Sequence, residues 1–352
     1  MRGKAGNQES EVRKKRIKDN AMSKPARKNL RIAVQADPLQ SLKPDIDNTL
    51  ALMRAALRRG YAVFFYEPKD LRWRNEGDQA GLWAHGAWVQ DWPEAAPLPQ
   101  MGATEAINLG DCDVLLLRQD PPFDMAYITS TYLLEHIMDR VLVVNDPRMV
   151  RNAPEKLFIT HFPDLQPPTL ISADAGAIDA FRAQYGVIVL KPLYSFGGNG
   201  VVRVAPEAGS AVIENYLAHQ NGLPCIAQQF IPAIAAGDKR VVLINGVIAG
   251  AYRRVPKAGD FRASVRLAGA TLESATVTPR EKSMIDRFAR KLVEQGILFA
   301  GIDVIDTYVS EINITSPTGL LGVNKLNNLT GAQRCEEKFW DAVEQRLVLR
   351  KL

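Results

Sequence analysis

Cysteine is scarce in this chain: Cys112, Cys225 and Cys335 are the only three in 352 residues. They are too few and too scattered for a disulfide framework or a zinc-ligand spacing, and such sparse usage fits a reducing compartment with buried, inert thiols. Histidine is equally thin. His85, His136, His161 and His219 lie far apart, so neither a zinc site nor a Ser/His/Asp triad has support. No run of 18 or more apolar residues occurs, and the N-terminus lacks the apolar core of a signal peptide. Membrane insertion and export are therefore not expected, and a cytoplasmic location is. No repeat with a period of 20 to 50 residues is visible, which argues against a solenoid or propeller.

What is present is an ordinary globular composition long enough for two or three domains. The formal net charge of +5 is misleading, because the first 29 residues carry a basic surplus larger than that and leave the remainder near neutral. That leader reads as a disordered extension. A basic arm for nucleic acid such as RNA, or for a membrane surface, is the other reading, and no nucleic-acid partner is expected for the globular part.

From Leu30 onward the pattern alternates strand and helix. Leu30 to Val34 is a short apolar strand ending at Asp37-Pro38. Residues 45 to 59 place Ile46, Leu50, Met53, Ala56 and Leu57 at helical spacing before Gly60, and Tyr61 to Tyr66 returns to strand. With Val114 to Leu117 and Val141 to Val144, this predicts an open, mostly parallel sheet over residues 30–150, interrupted by a Trp-, Gly- and Pro-rich excursion at 68–110. Ligands of such sheets gather beyond the carboxyl ends of the strands, where Asp37 and Arg118 to Asp124 fall. A second region is expected over 151–232 and a third over 233–352. Asn245-Gly246 marks a type I′ hairpin in the third, and helices are expected at 175–185, 279–295 and 336–350.

Two constellations carry chemistry. Val189 to Lys191, then Gly197, Gly198 and Gly200, then a second strand, is not a P-loop or a dinucleotide fingerprint, since each of those opens a helix. It reads as a tight hairpin or as a flap whose backbone N–H groups approach phosphate, with Lys191 adding charge. Lys156 and the turn Gly237-Asp238-Lys239-Arg240 offer further cations. The other constellation is Phe299 to Thr318. A three-residue loop at Asp306 to Tyr308 is expected, pairing Asp303 with Glu311 and putting Asn313 on the same face; a two-residue loop would turn Asp303 away. The converging oxygens either form a solvated polar face or hold a hard cation such as Mg²⁺.

Taken in order, Arg118-Gln-Asp-Pro-Pro-Phe-Asp124, Glu155-Lys-Leu-Phe158, Leu190-Lys-Pro192 with Gly197-Gly198, Ala227 to Ala233 with Gly237-Asp-Lys-Arg240, and Gly301-Ile-Asp303 through Glu311 to Pro317 resemble the bacterial glutathione synthetase family of ATP-grasp ligases. The resemblance runs from about residue 30 to the C-terminus. It implies an α/β ATP-grasp fold, with an N-terminal substrate domain and two β-containing lobes enclosing ATP. It also implies that Lys156 and Lys191, with Gly197, Gly198, Lys239 and Arg240, meet the nucleotide phosphates, and that Gln228, Gln229, Phe230 and Ile231 border the adenine. Asp303, Glu311 and Asn313 would hold Mg²⁺, with Mn²⁺ as an alternative ion, and Arg118 and Asp120 would lie near the peptide substrate. Arg254 and Arg262 would be the catalytic arginines. The implied reaction joins γ-glutamylcysteine and glycine at the expense of ATP, in a homo-oligomer that is a tetramer by the same resemblance.

The chain departs from the family pattern in two places. A lid resembling Arg-Gly-Asn-Leu-Ala-Ala-Gly-Gly is replaced by Arg262-Ala-Ser-Val-Arg-Leu-Ala-Gly-Ala270, so Gly259 and Gly269 are the only glycines in the loop 256–272. Tyr194-Ser-Phe196 stands where Asp-Gly-Met is typical. A divergent ligase with other substrates, and a nucleotide-binding protein without turnover, are the alternatives these changes raise.

Overall fold

The computed structural model describes residues 29–350; the basic extension lies outside them except for Asn29, as do residues 351–352. Strands β1 (Arg31–Gln35), β2 (Ala62–Tyr66), β3 (Leu71–Arg74), β4 (Gly81–Asp91), β5 (Gln100–Asn108), β6 (Val114–Leu117) and β7 (Leu142–Val144) form the first sheet. Its order is β3-β4-β2-β1-β6-β7, with β5 paired to β4. The run β2-β1-β6-β7 is parallel, and the excursion supplies the antiparallel flank β3 to β5. Every residue of β6 and β7 is buried, as continuous apolar runs require of strands covered on both faces. Strand order reverses around β1 and β6, so Asp37 and Arg118 to Asp120 meet at the crevice where such sheets bind ligands; the Asp120 N–H donates to Asp37 Oδ2 at 2.7 Å.

Helix α1 (Asn48–Arg58) begins later than its periodicity suggests, because Asp47 Oδ1 caps it by accepting from Thr49 N at 2.7 Å and Leu50 N at 3.1 Å. Ile46 therefore lies before the cap and is 66% exposed, not a core position. Helices α2 (Met125–Glu135) and α3 (Pro147–Asn152) follow the carboxyl ends of β6 and β7.

The second sheet, β8 (Thr169–Ser172), β9 (Ile188–Pro192), β10 (Val202–Val204) and β11 (Cys225–Gln229), is antiparallel in the order β10-β9-β11-β8. Ile188, Leu190, Cys225 and Ala227 pack one face onto Ile178 of α4 (Ala175–Tyr185) and Ile213 of α5 (Ala211–Ala218). By the two-residue period, Val189, Lys191, Ile226 and Gln228 take the other face.

The third sheet orders as β14-β13-β12-β15-β16, from β12 (Asp238–Ile244), β13 (Val247–Val255), β14 (Thr271–Ala275), β15 (Phe299–Ile305) and β16 (Tyr308–Asn313). Asn245 and Gly246 both have positive φ, +49° and +76°, as a type I′ turn demands. Helix α6 (Val265–Ala268) lies in the lid, and α7 (Pro279–Glu294) covers the apolar face of this sheet with Ile285, Phe288 and Leu292. After α8 (Leu320–Leu326), the last helix α9 (Cys335–Leu349) docks on the N-terminal domain. Trp340 Nε1 donates to Leu52 O at 2.9 Å, and Arg59 meets Glu337, Asp341 and Glu344. The C-terminal segment thus ties the third lobe to the first, which local pattern does not reveal.

All three cysteines are free and buried. Burial pushes the Cys112 and Cys335 thiols up to about 12 and that of Cys225 to about 11, so they are not poised as nucleophiles. Among the described residues no helix is long and apolar enough to cross a membrane.

Candidate active site

Alternation along the third sheet builds the site. Val241, Leu243, Ala300, Ile302, Val304 and Ile312 face α7, so the residues between them face the other way. Cross-strand pairs Asp238↔Arg254, Arg240↔Tyr252, Arg240↔Asp303, Asp303↔Glu311 and Gly301↔Asn313 line up on that second face. The result is a polar row spanning four strands.

The hairpin that carries the acidic pair differs from expectation. Its loop is two residues, Asp306 and Thr307, with Ile305 paired to Tyr308. An unbroken ladder would then bring Ser310 opposite Asp303. A bulge after Val304↔Val309 inserts Ser310, and Asp303 regains Glu311 as its partner. The bulge also lets Val309 and Ile312, three apart, both enter the core.

Asp303 is 3% exposed and sits in a chain of alternating charge. Arg240 binds it in bidentate fashion through Nε and Nη2, the latter at 2.7 Å, and Arg254 Nη2 reaches Oδ2 at 2.9 Å while its Nε donates to Asp238 at 2.8 Å. Burial opposes the charge on Asp303, but Arg240 and Arg254 outweigh it and hold the carboxyl below the usual range. At Asp238 burial wins over Arg254 and raises the pKa. Asn313 Nδ2 donates to Gly301 O at 3.1 Å and to Asp303 Oδ2 at 3.3 Å, so the amide presents nitrogen rather than oxygen to Asp303.

Whether these groups fit a divalent cation follows from their chemistry. Two carboxylates and an amide in one strand pair are a hard donor set, and Glu311 faces Lys156 Nζ at 3.9 Å. Among the described residues no group of three His, Cys, Asp or Glu side chains is arranged for a metal, so an ion here would need Asp303, Glu311 and an Asn313 with its amide turned to present oxygen. Both Asp303 oxygens accept from Arg240 and Arg254, so the set fits a cation only once the Asn313 amide has rotated and these guanidinium groups have drawn back.

Opposite this row stands the open face of the second sheet. Lys191 Nζ donates to Gln228 Oε1 at 2.9 Å, and Gln228 Nε2 donates in turn to Thr169 Oγ1 at 2.8 Å, which aims the ammonium. Burial lowers the Lys191 pKa, with Glu311 raising and Lys156 lowering it in the same space. Lys156 Nζ donates to the Ser195 carbonyl in the flap. At the flap, Gly197, Gly198 and Gly200 adopt φ of +66°, +85° and +69°; a Cβ on Gly200 would fall 2.7 Å from Pro192 Cγ, so glycine is required there. At the end of β11, Gln229 and Phe230 spend their N–H groups on Pro168 O and Val187 O at 2.9 and 3.0 Å. The Arg203 guanidinium lies 4.7 Å from the Phe230 ring centre, and Ile231 opens the turn Pro232–Ala236.

Two expected members do not join. Lys239 is a strand residue of β12, not part of a turn, and by alternation it faces away from Arg240; its Nζ is bound by Glu281 at 2.7 Å and by Thr276 O at 2.8 Å. Arg262 is paired with Asp260 in its own loop at 2.9 Å. Arg118 and Asp120 belong to the first domain. Arg118 is buried, with Nε donating to Thr49 Oγ1 at 3.2 Å and its carbonyl accepting from Ser316 Oγ at 3.1 Å, which links the crevice to the loop after β16.

Sequence reasoning passed over Asp238 and Glu155. Asp238 shares the face of Arg240 by a spacing of two, a signal legible once the segment is read as strand. Glu155 O accepts from Ile312 N at 3.1 Å, and burial together with the Glu311 charge raises its side-chain pKa to about 7. It is a third carboxylate beside the acidic pair.

An N-terminal α/β domain and two antiparallel sheets that face lysines toward an acidic row define an ATP-grasp ligase. Solved structures share this fold: D-cycloserine synthetase, 13% identical, covers 90% of this chain and 99% of its own with a TM-score of 0.63. D-alanyl-alanine synthetase A from Vibrio cholerae, 14% identical, covers 91% and 99% with a TM-score of 0.60. Within that class, residues 30–151 match the prokaryotic glutathione synthetase N-terminal domain and residues 155–328 its ATP-grasp domain. Glutathione synthetases of Rhodopseudomonas palustris and Bradyrhizobium diazoefficiens are 42% and 43% identical, over 90% of this chain and 99% and 98% of theirs. The chain belongs to the prokaryotic glutathione synthetase family.

Proposed function

We propose that this protein joins γ-glutamylcysteine to glycine with ATP and Mg²⁺, giving glutathione, ADP and phosphate. The observation that carries the reading is the match of both family domains over residues 30–151 and 155–328, on a chain whose lysines and carboxylates face one another between two sheets. The peptide carboxylate attacks the γ-phosphorus of ATP, expelling ADP and leaving an acyl phosphate. The glycine amine then attacks the acyl carbon, phosphate departs, and the amine loses a proton.

No covalent nucleophile of the protein is needed, so positioning and charge neutralisation carry the rate. Lys156 and Lys191 meet the phosphates, and Arg254, held by Asp238 and Asp303, offers fixed positive charge beside them. The crevice at Arg118 and Asp120 receives the peptide. Asp303, Glu311 and Asn313 would hold Mg²⁺, which when bound neutralises the phosphate oxygens.

The test is a product assay with ATP, Mg²⁺, γ-glutamylcysteine and a panel of small amines. Glutathione and one phosphate per turnover are expected only when peptide and glycine are both present. Phosphate release with another amine and none with glycine would reject the substrate assignment.

A further inference from the structure

The flap and the peptide-side loop touch. Tyr194, at the start of the flap, stacks on Phe123 with ring centroids 6.3 Å apart and planes 14° from parallel. Phe123 in turn packs on Tyr127 at 5.2 Å. The next residue, Asp124, caps α2 by accepting from Tyr127 N at 2.9 Å, which ties the backbone beside Phe123 to the helix start. The same loop carries Arg118 and Asp120 five and three residues earlier.

On the flap side, the residue after Tyr194 offers its carbonyl to Lys156. Gly198 lies against the lid, where a Cβ would come 3.5 Å from Ser264 Cβ. Tyr194 itself remains 42% exposed, so the ring adds little to the core. The neighbour it stacks on across the cleft, Phe123, lies on the N-terminal domain.

We propose that Phe123 and Tyr194 are positioning residues whose stacking couples the nucleotide flap to the peptide-binding loop, so that ATP and γ-glutamylcysteine each tighten the other's binding. This rests on the functional reading above. Phosphates drawn toward Lys156, Lys191 and the flap glycines hold the flap in the arrangement in which Tyr194 meets Phe123. That contact steadies the loop of Arg118 and Asp120, and the coupling is reciprocal by linkage. A stacked aromatic pair has a worth that translates to about two- to tenfold in affinity.

The experiment measures the dissociation constant of the β,γ-imido analogue of ATP with Mg²⁺ by calorimetry, with and without saturating γ-glutamylcysteine, on the full chain. The unaltered protein is expected to bind the analogue more tightly with the peptide present. Tyr194→Leu should cut that ratio by about two- to tenfold, Phe123→Leu by the same factor, and the double variant no further. Tyr194→Phe, which keeps the ring, should keep the ratio. A ratio unchanged in Tyr194→Leu, or lost equally in Tyr194→Phe, overturns the proposal. If the unaltered protein makes glutathione and the ratio survives Tyr194→Leu, only the coupling falls; if it binds no γ-glutamylcysteine, the functional reading falls with it.

Discussion

Lys191→Met tests the nucleotide site most directly. The substitution keeps most of the aliphatic stem and removes the charge. In the native protein the ammonium is already aimed by Gln228 Oε1 at 2.9 Å, and its lowered pKa reflects desolvation before any phosphate arrives. Little ordering of the side chain is therefore needed on binding, and the phosphate contact should be worth that of a charge-assisted hydrogen bond, about 1.5–3 kcal/mol. Affinity for ATP should fall by about tenfold to a hundredfold. Stability should move less, because relief of a partly buried charge offsets about 1 kcal/mol lost when Gln228 Oε1 loses its donor. The assay is calorimetric titration with the imido analogue, paired with a melting curve. An unchanged dissociation constant would return Lys191 to a purely structural role as the partner of Gln228. A matching affinity loss in Gln228→Leu would support the view that aim, as well as charge, is supplied.

Glu311→Gln should reduce phosphate release by about two to three orders of magnitude, since charge stabilisation of a transferring phosphoryl group is worth several kcal/mol; wild-type turnover with an intact melting curve would remove Glu311 from the site. Glu281, whose burial is outweighed by Lys239 and the Thr278 cap so that its pKa is depressed, contributes stability at neutral pH that is lost as pH falls from its ordinary value near 4.5 through the lower folded one. The melting-temperature gap between the parent and Glu281→Gln should therefore close below that pH, and a gap that widened on acidification would contradict the sign. In the lid, Ser264 Oγ caps α6 by accepting from Leu267 N at 3.2 Å, a role asparagine also fills. Ala263→Gly with Ser264→Asn should raise kcat for glycine without melting the turn, and an unchanged or lower kcat would show that the lid does not limit turnover.

Much of the architecture is legible in the local pattern. Apolar runs marked the strands that line the crevice, Asn245-Gly246 marked a turn whose two positive φ angles only such residues adopt readily, and glycine spacing marked the flap. Motif order along the chain was enough to place it near the glutathione synthetases, because each motif reports a local chemical need and their sequence reports the fold. The acidic pair Asp303 and Glu311 was also legible, though its pairing was expected from a longer loop.

Tertiary structure decided what depends on partners distant in the chain. The bulge at Ser310 is set by the need to bury both Val309 and Ile312 against α7, a packing demand that no turn rule encodes. Lys239 and Arg240 are adjacent cations with opposite fates, one bound to Glu281 beneath the sheet and the other to Asp303 above it. A strand that is misread as a turn loses that distinction, since alternation fixes faces only once the register is known. The docking of α9 on α1 and the meeting of Tyr194 with Phe123 are contacts between segments whose spacing in sequence carries no signal. Sequence by itself determined which chemistries are available, and packing between separate lobes determined which side chains deliver them.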